Sequence, residues 1–221
     1  MDLLVFDLDG TLIDSKMDLA LSVNATRAHM GMGPLDVGLV STYVGNGAPV
    51  LIRRALGDQA TEAQVEEALE FFLEHYREHK LDFTRLYPGV RESLDRLRAA
   101  GKRLAVLTNK PVAVSRAIVE GLGVGAHFFR VYGGNSFEFK KPHPAGMEKL
   151  LSEAGVDRGR AMMVGDSSVD IQTARNAGVR SCGVTYGFAP ESLRDPAPDL
   201  LVNRMEELAD WVLTGAAPRK K

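Results

Sequence analysis

Short, largely apolar runs bounded by polar or turn residues recur along this chain: LLVF (3–6), LAVL (104–107), FRVY (129–132), AMMV (161–164) and SCGV (181–184). A strand with one wet face would alternate, so unbroken runs of this kind predict strands buried on both faces in a parallel sheet. Between them the apolar positions take helical spacing, as in Val90, Leu94 and Leu97, in Ile118 and Val119, and in Met147, Leu150 and Leu151. Each series closes near a glycine. Strand alternating with helix predicts an α/β fold with a doubly wound parallel sheet, on which ligands bind beyond the carboxyl ends of the strands.

One interval breaks this rhythm. Over 16–84 no convincing strand occurs, whereas MDLALSVNATRAHMG, PVLIRRALG and TEAQVEEALEFFLEHYREH read as helices, the last with an apolar face of Val65, Leu69, Phe72 and Tyr76. A small α-helical cap over 16–84 is therefore expected, inserted into a core of 1–15 and 85–221. It leaves the chain directly after DGTLIDS, so it should begin at the carboxyl edge of the sheet and roof what sits there; whether it hinges near Ser15 and Leu86 is left open. The last segment, from about 186, carries APESLRDPAPD and a final helix around MEELADWVL, and should cover an edge of the sheet.

The chain has 221 residues, 45% of them hydrophobic, enough to fill its own core. Its formal net charge is −2 and no window is strongly basic, which argues against a nucleic-acid partner; the terminal PRKK is read as a solvated end. One cysteine, Cys182, excludes an internal disulfide, fits a reducing compartment, and is expected in the core. The start on MDLLVF carries no charged leader, and no apolar stretch reaches membrane-spanning length. A soluble, cytoplasmic protein with no membrane partner is expected, and monomer and homodimer are both left open.

Polar clusters follow four of the expected strands. Asp7 and Asp9 follow LLVF, Thr108 and Asn109 follow LAVL, Lys141 lies in KKPHP after FRVYGG, and Asp166 and Asp170 lie in GDSSVD after AMMV. Taken singly, each is ordinary loop polarity or helix capping: Asp166 or Ser167 suits the cap of SSVDIQTARNAG, and Asp14 or Ser15 that of the first cap helix. A parallel sheet, however, brings all four to one edge. Four carboxylates crowded there would repel one another and shift upward in pKa unless a cation compensated. A hard divalent ion, most naturally Mg²⁺, suits an all-oxygen donor set, and metal, lysine, hydroxyl and amide together suit a phosphoryl group.

The series DLDGT, LTN, KKPHP and GDSSVD, in this order, resembles the haloacid dehalogenase superfamily, and TNK with GGNSFEFKKPHP resembles its phosphoglycolate phosphatase branch. The likeness runs from Val5 to about Gly187; the cap matches only loosely, and Asn135 stands where many relatives carry an acidic residue. The resemblance implies a Mg²⁺-dependent phosphatase of small phosphorylated metabolites, with 2-phosphoglycolate the leading substrate. It implies Asp7 as nucleophile, forming an aspartyl phosphate, and Asp9 as acid and base. It further implies metal ligation by the Asp7 carboxylate, the Asp9 backbone carbonyl and Asp166, with Asp170 ordering a metal water or Lys141, and phosphoryl binding by Thr108, Asn109 and Lys141. A sugar phosphomutase and a non-catalytic phosphate-binding regulator are the alternatives on the same fold.

In the cap, Gly45, Asn46 and Gly47 of YVGNGAPV form a tight turn into a helix start, suited to a substrate carboxylate, with Arg53 as an assistant. The same turn serves equally as a plain helix entry. His75 and His79 share a helix face, but without the HExxH glutamate or a third ligand they are read as solvated. GLGVG (121–125) ends a helix, so it is not a dinucleotide loop. His143, between two prolines, is read as loop structure.

Overall fold

The computed structural model of the protein describes residues 1–215, so PRKK lies outside the described residues. In chain order the elements are β1 (Leu3–Phe6), β2 (Ile13–Asp14), α1 (Lys16–His29), α2 (Val37–Thr42), α3 (Ala48–Leu56), α4 (Glu62–His79), β3 (Arg85–Leu86), α5 (Val90–Ala99) and β4 (Arg103–Leu107). There follow α6 (Val112–Gly121), β5 (Arg130–Tyr132), α7 (Ala145–Ala154), β6 (Ala161–Gly165), α8 (Ser168–Ala177), β7 (Arg180–Val184), β8 (Leu200–Val202) and α9 (Met205–Thr214). The main strands form within one residue of the expected limits. The Leu200–Val202 strand was not expected: the segment after residue 186 does cover an edge, but by pairing β8 with β7.

The chain divides into two compact units, one made of residues 1–13 with 86 onward and the other of Asp14–Arg85. The first is a parallel six-stranded sheet in the order β5-β4-β1-β6-β7-β8. The central strand β1 pairs with β4 on one side and β6 on the other, with Phe6 level with both Val106 and Val164. Strand order therefore reverses about β1, and a doubly wound sheet opens a crevice at such a reversal.

Every residue of β1 is buried, which accounts for its lack of alternation. Successive side chains point to opposite faces. Leu3, Val5, Ala105, Leu107, Ala161 and Met163 share a cluster with Met147, Leu150 and Leu151 of α7 and with Ala174 and Ala177 of α8. The intervening residues face the other side, where the Phe6 ring meets Phe128 edge-on at 6.5 Å. Cys182 is buried, and burial pushes its thiol up. No described helix is long and apolar enough to cross a membrane.

The second unit is helical. Asp18 near the start of α1 is almost wholly buried, yet it accepts hydrogen bonds from the Phe83 N–H (2.9 Å), the Thr84 N–H (2.8 Å) and the Thr84 hydroxyl (2.7 Å), which satisfies a carboxylate that would otherwise be costly to bury. This ties the two ends of the unit together. The Thr61 hydroxyl accepts from the Gln64 N–H while the Gln64 side chain accepts from the Thr61 N–H, a reciprocal cap that fixes the start of α4. The buried face of α4 is Val65, Ala68, Phe72 and Tyr76; Ala68 takes the fully buried place expected of Leu69.

Candidate active site

Asp7 is the first residue beyond β1, and its N–H still donates to Val164 O of β6 at 2.9 Å, so the sheet itself fixes where the side chain departs. Thr108 and Asn109 follow β4, Asp166 follows β6, and Lys141 lies in the loop between β5 and α7. The structure brings these residues together at the carboxyl edge of three adjacent strands, all of them buried.

Asp7, Asp166 and Asp170 each offer a carboxylate oxygen within 4.8 Å of the others. Among the described residues this is the one group of three or more metal-type side chains. Lys141 Nζ lies 2.6 Å from Asp170 Oδ1 and 3.0 Å from Asp7 Oδ1. Asp170 divides its oxygens: Oδ2 accepts from the Ser167 N–H (3.2 Å) and hydroxyl (2.8 Å) at the start of α8, while Oδ1 takes Lys141. The cap therefore falls on Ser167, one of the two expected candidates, with Asp170 as its reciprocal partner through Oδ2 while Oδ1 stays with Lys141.

Asp166 Oδ2 accepts from the Phe188 N–H at 2.6 Å, and Oδ1 from the Thr11 hydroxyl at 3.4 Å. Gly10 runs against this carboxylate with φ of +80°, and a Cβ there would lie 2.2 Å from Asp166 Oδ2. Only glycine tolerates both that conformation and that approach. Thr11, the last residue of DLDGT, and Phe188 were given no role in the sequence reading, because each acts on a carboxylate far away in the chain.

Burial, reinforced by the like charge of Asp170, raises Asp7 to about 6 against the opposing pull of Lys141. Burial, with Asp170 and Asp7 adding repulsion, raises Asp166 to about 8. Burial works against the Lys141 charge, but Asp170 and Asp7 outweigh it and push that ammonium up to about 12. Three carboxylates facing one ammonium leave two negative charges when all are ionised. An all-oxygen donor set with this deficit fits a hard divalent cation.

Asp9 is not in this group. Its side chain turns to Lys110, whose Nζ lies 3.0 Å from Oδ1 and 2.9 Å from Oδ2. Lys110 was missed as a site residue, although it closes the TNK run that carries part of the family resemblance. The Asn109 Nδ2 donates to Lys141 O at 3.0 Å and so fixes the Lys141 loop. Asn135 Oδ1 accepts from the Val112 N–H at 2.9 Å, completing the start of α6, for which Pro111 has no side-chain acceptor. An amide oxygen serves there as a carboxylate would.

The remaining candidates lie elsewhere. Gly45 (φ +118°) and Gly47 (φ +88°) shape the entry to α3 within the helical unit, with Asn46 between them. Arg53 pairs with Glu62 and donates to Ala60 O at 2.9 Å, tying α3 to the start of α4. The His75 Nδ1 meets the Ser22 hydroxyl at 3.1 Å, and His79 pairs with Asp82 at 2.8 Å. His143 is exposed in its loop, where its Nδ1 accepts from the Ala145 N–H at 3.3 Å.

A doubly wound sheet with buried carboxylates and a lysine at its carboxyl edge suits the class of enzymes that act on anionic substrates, and its donor set fits a divalent cation. The particular family follows from comparison. The sequence model of the haloacid dehalogenase-like hydrolases matches residues 4–184, and the chain belongs to that family. It is 39% identical over 214 residues to the phosphoglycolate phosphatase of Chromobacterium violaceum, spanning 95% of this chain and 96% of the relative. With the phosphoglycolate phosphatase of Colwellia psychrerythraea it shares 42% identity over 193 residues, 85% of each chain. The crystal structure of a predicted phosphoglycolate phosphatase from Haemophilus somnus has the same fold, with a TM-score of 0.90, 35% identity and 98% of each chain covered.

Proposed function

We propose that this protein is a Mg²⁺-dependent phosphatase that hydrolyses small phosphomonoesters, with 2-phosphoglycolate its substrate. The observation that carries this reading is the buried group of Asp7, Asp166 and Asp170 with Lys141 among them. The names of the relatives support the choice of substrate.

Asp7 attacks phosphorus; the P–O bond to the glycolate oxygen breaks as the aspartyl phosphate forms, and Asp9 delivers a proton to the leaving oxygen. Asp9 then accepts a proton from the water that attacks the phosphorus, and the bond to Asp7 breaks, returning the carboxylate and releasing phosphate. Thr108, Asn109 and Lys141 bind the phosphoryl oxygens; the ammonium of Lys141, 3.0 Å from the nucleophile, offsets charge where it gathers. The Asp7 and Asp166 carboxylates and the Asp9 backbone carbonyl would hold Mg²⁺, with Asp170 ordering Lys141, and the bound ion supplies positive charge to the phosphoryl group. The helical unit serves as the cap that selects the substrate, with Gly45, Asn46 and Gly47 receiving its carboxylate. A cytoplasmic setting accords with the lone buried thiol.

Phosphate release from 2-phosphoglycolate and a panel of phosphorylated metabolites, with Mg²⁺ and with a chelator, tests this reading. Release that requires Mg²⁺ and is greatest for 2-phosphoglycolate is expected. Preference for another ester would remove the substrate assignment, and no release from any ester would remove the phosphatase assignment. Gly47→Asp should raise KM for 2-phosphoglycolate; an unchanged KM would take these residues out of substrate recognition.

A further inference from the structure

We infer that Lys110 is a positioning residue for Asp9, and that the Gly133-Gly134-Asn135 loop exists to hold Lys110 in place. The inference rests on the phosphatase reading. The Asp9 and Lys110 side chains, 101 positions apart, meet at 3.0 and 2.9 Å with both oxygens of the carboxylate engaged. Both side chains are largely buried, 6% exposed for Lys110 and 11% for Asp9, so solvent screens this pair far less than a surface pair.

The backbone around Lys110 is held from several sides. Its N–H donates to the Thr108 hydroxyl at 3.3 Å, and its carbonyl accepts from the Gly134 N–H at 2.9 Å. A Cβ on Gly134 would fall 2.4 Å from Asn109 O, and one on Gly133 2.5 Å from Lys110 O, so the two glycines let the loop lie directly against this segment. Asn135 then caps the Val112 N–H two residues beyond Lys110. The loop after β5 and the turn after β4 are thereby one rigid support, from which the lysine reaches to the end of β1.

The pairing matters for a group that works twice. Between the half reactions Asp9 must stand as a carboxylate, aimed at the incoming water and apart from the Asp7, Asp166 and Asp170 group. An ammonium forked across both oxygens fixes that orientation and keeps Asp9 from turning toward the metal-binding carboxylates. In this role Lys110 acts through Asp9.

The experiment is a double-mutant cycle on phosphate release from 2-phosphoglycolate with Mg²⁺. Lys110→Met should lower kcat about tenfold or more, a part of the 10²- to 10⁴-fold that positioned acid and base groups supply, with KM changed less than about threefold. In an Asp9→Asn background the same substitution should change kcat less than about twofold, because the group it positions no longer acts. Lys110→Arg should recover a substantial share of the lost kcat. Additive losses, or a loss confined to KM, would overturn the inference while leaving the phosphatase reading intact; a wild-type enzyme with no turnover would sink both. Should Lys110→Met fail to fold, Lys110→Gln takes its place in the cycle.

Discussion

The central strand carries an aspartate at each end, and the two are treated in opposite ways. Asp2, just before β1, pairs with Lys102 at 3.5 Å and with Arg160, in a cluster open enough that the Arg160 side chain is 68% exposed. Asp7, just after β1, pairs with Lys141 at 3.0 Å, but here the lysine side chain is 2% exposed and two more carboxylates crowd the same space. At the amino edge cations outnumber the anion and water screens them all. At the carboxyl edge anions outnumber the cation and burial denies them water. Residue type alone does not separate a structural ion pair from a reactive one; burial and charge balance do.

Asp7→Asn should break the carboxyl-edge site most severely, lowering turnover of 2-phosphoglycolate on the order of 10⁴-fold or more while leaving the fold intact. Phosphate release together with circular dichroism checks both halves of that expectation, and undiminished turnover would remove the nucleophile. Asp9→Asn should cost less, about 10²- to 10⁴-fold, and slow both half reactions, as followed by burst kinetics.

The same edge should also be the part of the metal-free protein that is sensitive to pH. Asp7 and Asp166 retain protons in the folded state up to about 6 and about 8, whereas the unfolded chain releases them near 3.8. The stability they contribute is complete below that unfolded value and is lost as pH rises through the folded values. Urea unfolding with a chelator at pH 5 and pH 8 measures it, and added Mg²⁺ should restore more at pH 8 than at pH 5. At the amino edge the smallest effect is expected: Asp2→Asn should cost less than about 1 kcal/mol in the same assay and leave turnover unchanged.

Most of this arrangement was legible in the sequence, because a doubly wound sheet converts short apolar runs into parallel strands and puts their following residues on one edge. That rule gathers Asp7, Thr108, Asn109, Lys141, Asp166 and Asp170, but it also gathers Asp9, whose side chain turns to Lys110 instead of the other carboxylates. What escaped it was whatever lacks a local pattern. The β8 strand is three residues long and follows a proline-rich stretch, too short to show a period. The six-residue α2, VGLVST, contains glycine and β-branched residues that favour helix weakly, and it forms under a cap from Asp36, whose side chain accepts from the Gly38 and Leu39 N–H groups. Lys110 and Thr11 act across the sheet on partners more than a hundred positions away, and spacing along the chain encodes nothing of such a pair.

Binding of Mg²⁺ measured by isothermal titration calorimetry, in the wild type and in Asp166→Asn, bears directly on why the carboxyl edge is built as it is. One ion per wild-type chain at pH 8, with binding abolished or greatly weakened in Asp166→Asn, is the expected result. An absence of binding by the wild type, or equal binding by both proteins, would contradict it and leave the buried carboxylates without a purpose.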